Sequence, residues 1–231
     1  LLTVVLVPLQ VGSIESSPLA LAVGLVALVL GMLYAAPWLI SILRSTSTPT
    51  GDTADRVERL RHRAGLTVRD VRILDTENEE TAETLVRGPP NYRRLFVTTT
   101  FLDAFDDEAA SALLAIEAGK LRAHVFEVRV GTVLVAGIAL IASVTGIGPW
   151  WPLLGLSLGS VLVGFWLSQR RIRAADEYAA EQVGRTTVAD ALGEYAEVHA
   201  LEPTRRRIPN PLSIKVALGD RIDRLRTPSE Q

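Results

Sequence analysis

The residues able to do chemistry in this 231-residue chain are few and unevenly placed. There is no cysteine, which excludes disulfides, thiolate metal sites and a cysteine nucleophile. Three histidines, His62, His124 and His199, are scattered along the chain. His124 follows Lys120 and Glu117 at helical spacing, roughly on one face. A carboxylate and an imidazole so placed, with a distant third donor, would make a makeshift metal site. The plainer reading of His124 is a polar residue at a membrane interface. Glu117 also has Lys120 three residues on, the spacing of an ion pair on a helix. Gly155 and Gly159 form a G-x-x-x-G pattern suited to close helix packing, within the chain or between copies. Arg205-Arg206-Arg207 is either a contact for anionic head groups or a solvated loop. With 26 acids against 24 bases the net charge is −2, and no zinc-finger or P-loop spacing is present. No nucleic acid partner is expected.

The elements that must position these groups are dominated by apolar runs, in keeping with a mean hydropathy of +0.25. Pro18–Leu43 holds 26 residues without a formal charge. As a helix it would be about 39 Å long against a hydrocarbon core of about 30 Å, and tilt or a bend near Pro37 absorbs the excess. Val130–Ile147 and Trp150–Leu167 are uncharged runs of 18 residues each, joined by Gly148-Pro149. They read as a helical hairpin with Trp150, Trp151 and Trp166 at its interfaces. Buried helices of a soluble protein would not need three charge-free runs with aromatic ends. Leu1–Leu9 is too short to span and reads as the truncated end of a further helix, which would give four crossings, or as a signal-like remnant. Arg44, Lys120, Arg122, Arg129, Arg170, Arg171 and Arg173 flank the same ends of these runs, and the other ends offer only Glu15. The positive-inside rule then places both polar regions in the cytoplasm of a multi-pass protein of the cell (plasma) membrane, with the lipid bilayer as its first partner.

The polar regions have enough periodic apolar residues to fold. Ser45–Thr53 reads as a Ser/Thr linker, and Ala54–Ala64 as a helix burying Val57 and Leu60 and stopping at Gly65. Val68–Leu74 and Leu95–Thr100 read as strands, with an acidic loop, DTENEETAE, between them. Asp106 is placed to cap a long helix through Ala110, Leu113, Leu114, Ile116 and Leu121 that continues by Val125 toward the membrane. The chain divides into membrane segments 1–43, an α+β part 44–128, a membrane hairpin 129–168 and a helical part 169–231.

This order of parts resembles the HtpX-type membrane zinc metallopeptidases. That family carries H-E-x-x-H on a long helix, preceded by an apolar strand and an acidic helix start. Leu95–Lys120 reads LFVTTTFLDAFDDEAASALLAIEAGK, with I-E-A-G-K where the motif should stand. After the hairpin the family shows S-R-x-x-E-x-x-A-D, then Tyr-Ala-Ala and a glycine; Ser168–Gly184 reads SQRRIRAADEYAAEQVG. Asn210-Pro211 and Arg221-Ile222-Asp223-Arg224-Leu225 resemble the family's His-Pro and R-I-x-x-L, with Asn for His. The resemblance spans nearly the whole chain. It implies a helix-rich membrane protein with a zincin-like α+β domain in the cytoplasm and a small sheet.

The same resemblance sets the chemistry. Its two histidine positions fall on Ile116 and Lys120, its general base on Glu117, its third ligand on Ile172 and its ligand-orienting aspartate on Asp176. A register shifted by five residues would supply Glu177 as ligand instead, at the loss of the matches at Ser168, Asp176 and Gly184. Isoleucine has no lone pair, and lysine as an ammonium repels a dication. Zinc is the family's cofactor; none is expected here. A Glu117–Lys120 pair flanked by isoleucine would hold the cleft without metal, and Asp176 would bond its own helix or an arginine. The family's substrate-binding edge strand falls on Thr81, Ala82, Glu83, Thr84, Leu85, Val86 and Arg87, where backbone pairing needs no metal. A covered edge, or a plain hairpin arm, is the alternative there. The leading expectation is a catalytically inactive pseudoprotease that binds peptides, membrane proteins or misfolded proteins, or regulates an active relative in protein quality control. The alternatives are an active zinc metalloendopeptidase with a non-standard ligand set, and a structural membrane protein without peptide binding.

Overall fold

The computed structural model describes residues 17–43, 46–75, 82–89, 92–201 and 216–227. Leu1–Leu9, Glu15, most of the acidic loop with Thr81, Arg205–Arg207 and Asn210-Pro211 lie outside the described residues. In chain order the elements are α1 (Pro18–Leu43), β1 (Thr46–Ser47), α2 (Gly51–Arg63), β2 (Asp70–Leu74), β3 (Thr84–Arg87) and β4 (Arg94–Thr98). They continue as α3 (Thr99–Ala104), α4 (Asp107–Arg122), α5 (Val125–Thr145), α6 (Trp150–Val183), α7 (Arg185–Val198) and α8 (Leu218–Arg226).

Among the described residues, Pro18–Ile40 of α1 and the helices α5 and α6 are long and apolar enough to cross a membrane. Their large side chains stay exposed, from Leu19 and Trp38 on α1 to Val144 on α5 and Trp151 on α6. Chains with such surfaces find their solvent in lipid. The α5–α6 hairpin turns at Gly146, whose φ of +76° is one that glycine adopts without strain. Ser143 Oγ donates to the Trp150 carbonyl at 3.0 Å across the turn, and Ser157 Oγ to the Ala136 carbonyl at 2.9 Å. Gly164 lets α6 close on Thr132, where a methyl group would clash at 2.2 Å. The G-x-x-x-G pair is not used this way: nothing lies within 4 Å of a Cβ built on Gly155 or Gly159. Close packing in the hairpin comes from Gly164 instead.

The sheet has the order β1-β2-β4-β3, with β2 and β4 parallel and the outer pairs antiparallel. β4 is central, and Leu95, Phe96 and Val97 are buried on both faces. Two strands differ from their sequence expectation in length. The strand expected over Val68–Leu74 begins at Asp70, and the one expected to Thr100 ends at Thr98. Thr98 explains the second stop: its Oγ accepts from Phe101 N at 3.1 Å and opens α3. β1 lies inside the expected linker because a free edge of β2 is there to pair with it.

α4 forms the centre of the folded domain. Every residue from Ala109 to Ile116 is buried, because α2, α6, α7 and β3 surround it. Asp106 caps it as expected, accepting from Glu108 N and Ala109 N at 3.0 and 2.8 Å. Arg56 of α2 fixes its start by donating to the Leu102 and Phe105 carbonyls and pairing with Asp107 at 2.7 Å. The helix does not run on into the membrane. It stops at Arg122, His124 takes a left-handed φ of 53°, and α5 starts anew at Val125. The break lets α4 stay in the domain core while α5 follows α6 into the bilayer. α6 itself is continuous over 34 residues, so the boundary drawn at 168/169 falls inside one helix.

Candidate functional site

The site is a crossing of two helices. A Cβ on Gly119 of α4 would lie 2.3 Å from the Ala175 carbonyl of α6, so only glycine allows the approach. Three residues before Gly119 on α4 stands Ile116, 3% exposed and part of the domain core. Three residues before Ala175 on α6 stands Ile172, 6% exposed. Glu117 and Lys120 occupy the more open side of α4, and Lys120 Nζ lies 2.5 Å from Glu117 Oε1. Helical spacing alone makes this pair feasible, and the partial burial of both ends favours it.

Asp176 is fully buried, and a buried carboxylate requires paired charge and hydrogen bonds. Arg221 of α8 supplies two bonds, Nε at 3.0 Å and Nη2 at 2.6 Å, and Arg224 Nη2 a third at 3.0 Å. Burial lowers the basicity of Arg224, while Asp176 and then Glu177 oppose that shift. Glu177 is also engaged, with Arg185 Nη1 at 2.6 Å. A group absent from the sequence reading joins them. Tyr195 of α7 stacks on His199 at 4.0 Å, and burial raises its phenol above the usual value. Glu83 and Glu117 add to the shift and Arg221 opposes it, so the phenol lies within electrostatic reach of all three. Nothing local marks Tyr195; its place depends on how α7 packs against α4.

The donor set does not fit the zinc of the resembled family. Ile116 and Ile172 offer no donor, Lys120 is a cation, and the Glu117 carboxylate is held by that cation. The makeshift arrangement with His124 fails for a different reason. The left-handed turn at His124 takes it off the α4 face, and its Nδ1 faces Glu127 at 3.7 Å. His62 lies on α2, and His199 holds the Tyr195 carbonyl at 2.9 Å through Nδ1. Among the described residues no three His, Asp or Glu side chains converge.

β3 is an edge strand paired only to β4 among the described residues. Glu83 and Thr98 pair at 3.1 Å through Thr98 N and the Glu83 carbonyl, and Glu83 N reaches Thr98 Oγ at 3.0 Å. Antiparallel alternation then points the backbone of Leu85 and Arg87 toward β4, and that of Thr84 and Val86 outward. Of the expected edge residues, Ala82 and Val86 are buried, Glu83 is exposed, and Thr84, Leu85 and Arg87 are partly exposed.

This architecture has a counterpart among solved proteins. The crystal structure of S. mikatae Ste24p matches with a TM-score of 0.71 and 14% identity, over 90% of this chain and 57% of that one. The chain thus spans little more than half of that neighbour. At such identity the likeness is one of fold alone. No protein-family model and no curated protein sequence matches the chain.

Proposed function

We propose that this chain is a catalytically inactive, HtpX-like membrane protein that holds extended peptide segments at the outer edge of β3. One observation carries the reading: the positions that would ligate zinc hold Ile116, Lys120 and Ile172, and Lys120 occupies the Glu117 carboxylate at 2.5 Å. Amide hydrolysis by this class of site needs a metal to polarise the carbonyl and acidify water. An ammonium in the same place supplies neither a bound water nor an open coordination position. Strand addition depends only on backbone groups, and Thr84 and Val86 offer theirs outward. In this reading the domain lies in the cytoplasm at the plasma membrane. It captures misfolded or membrane-protein segments, or competes for them with an active relative.

Two measurements test it. Metal analysis of the full chain purified in detergent is expected to give well under one zinc per chain; stoichiometric zinc would instead make it a peptidase with a non-standard ligand set. A photoreactive unfolded peptide is expected to crosslink near β3, and Thr84→Pro to abolish the crosslink. That substitution removes an outward N–H and leaves the ladder to β4 intact. Crosslinking unchanged by Thr84→Pro would leave a purely structural membrane protein.

A further inference from the structure

Along the open edge of the sheet the side chains form a pattern. Glu83, Leu85 and Arg87 alternate with Thr84 and Val86, so their side chains share one face of the sheet. Val86 turns to the other face, into the core with Ile73, Leu95 and Val97. A strand added antiparallel to β3 would hydrogen-bond opposite Thr84 and Val86. Its non-hydrogen-bonded pairs, where side chains come closest, would then fall opposite Glu83, Leu85 and Arg87.

The register fixes what each of the three meets across the sheet. Arg87 stands opposite Arg94 of β4, and Arg94 opposite Asp70 of β2. From β2 outward this row reads acid, base, base. Asp70 Oδ2 accepts from Arg72 Nε at 3.0 Å and lies 3.5 Å from Arg94 Nε, so Arg94 has only a shared carboxylate. Among the described residues Arg87 forms no ion pair and makes one long contact, 3.5 Å, to the Val86 carbonyl. Like charges directly opposite each other are destabilising, and an acid beyond Arg87 would relieve them. The next row runs from the fully buried Phe96 to Leu85, so an apolar residue would extend it. The last ends in Glu83, which is exposed and forms no ion pair among the described residues; its backbone is tied to Thr98.

We propose that this edge selects extended peptides that carry an acid, an apolar residue and a base at alternate positions. The acid pairs with Arg87, the apolar residue with Leu85 and the base with Glu83. The inference rests on the peptide-capture reading above and names its substrate class. Backbone groups of Thr84 and Val86 hold a strand of any sequence, and the three side chains set which strand stays and in which register. A slip of one residue would turn all three partners to the wrong face. Arg87 lies at the membrane end of β3: a Cβ on Gly88 would come 3.3 Å from Pro37 Cγ of α1, and Arg94 covers the Trp38 ring at 5.3 Å. An anionic head group is therefore the rival ligand for Arg87, but it would use neither Leu85 nor Glu83.

The test titrates the full chain in non-ionic detergent with fluorescent peptides of equal length, read by anisotropy. Their centres are E-T-L-T-R in both chain directions, E-T-L-T-E and R-T-L-T-R. The mixed-charge peptide, in the better of its two directions, is expected to bind about fivefold tighter than either like-charged one. Arg87→Glu should move the preference to R-T-L-T-R, and Glu83→Lys should move it to E-T-L-T-E. Neither change threatens the fold: the new carboxylate at 87 faces Arg94 across the ladder, and position 83 is exposed. Equal binding of all the peptides, or preferences that ignore the two reversals, would overturn the selection and leave capture standing. Binding of none would overturn capture with it. A native preference that disappears when the micelles carry phosphatidylglycerol would give Arg87 to a head group, and would also overturn the proposal.

Discussion

α6 is one helix in two solvents, and its halves solve the same packing problem differently. In the membrane half, Gly164 admits Thr132, and Ser157 and Ser143 bridge the hairpin by donating to carbonyls. In the domain half, Ala175 meets Gly119, and next to that contact Asp176 is locked by Arg221 and Arg224. Hydroxyls suffice in lipid because they carry no charge to be desolvated, and each finds a carbonyl on the neighbouring helix. The domain half has water at its rim to solvate long arginines, so it can bury a full charge and anchor a distant helix with it. The lesson is that a close helix crossing fixes only a distance. What secures it depends on the medium.

The sharpest way to break this contrast is at Asp176. Asp176→Ala should cost about 3–5 kcal/mol, since it leaves two arginines facing a void. Thermal unfolding of the full chain in detergent reads the loss, and a fall under 1 kcal/mol would mean that α8 is not anchored there. Next in size is the crossing itself. Gly119→Val should destabilise by about 1–3 kcal/mol, because the Ala175 backbone cannot give way. Gly159→Val, which meets open space, should stay within about 0.5 kcal/mol. If the two glycine variants behave alike, the α4–α6 crossing is misplaced. In the membrane half, Ser157→Ala should cost only about 0.6 kcal/mol, the usual scale of a hydrogen bond between membrane helices. Glu117→Gln should cost about 1 kcal/mol or less, because the pair is partly solvated, and the zinc content should not change with it.

The smallest effect is a pH dependence on α7. Burial raises the Glu194 carboxyl above 4.5, and the neighbouring charges of Asp106 and then Glu197 push the same way. An acid with a raised folded value favours the folded state when protonated. Its contribution is therefore complete below pH 4.5 and is lost as pH rises through the folded value. Glu194→Gln should remove that loss, so the gap in melting temperature between variant and native protein should widen in the variant's favour from pH 4 to 7. A constant gap would place Glu194 in water.

The parts legible in the sequence were those that a local rule decides. Uninterrupted apolar runs gave the membrane helices, Asp106 the start of α4 and Gly65 the end of α2. The spacing of Glu117 and Lys120 gave their ion pair. What stayed hidden was decided by distant contacts. The break at His124 has neither glycine nor proline to announce it, and β1 exists because β2 offers an edge. Asp176 was legible as a position in a motif, but its partners on α8 lie 45 and 48 residues away. Tyr195 carries no signature at all. The G-x-x-x-G pattern does not pack the α5–α6 hairpin, because small residues permit an approach without requiring one.

The unbroken length of α6 also makes it a lever. From Ser168 to Val183 the rod extends about 22 Å beyond the membrane boundary, so a tilt of about 10° at the bilayer moves its far end by about 4 Å. The Asp176 clamp and the α4 crossing both sit on that arm, and neither can yield by stretching. A tilt of the hairpin with bilayer thickness would therefore act on the domain as torque, through the α4 crossing and the α8 clamp.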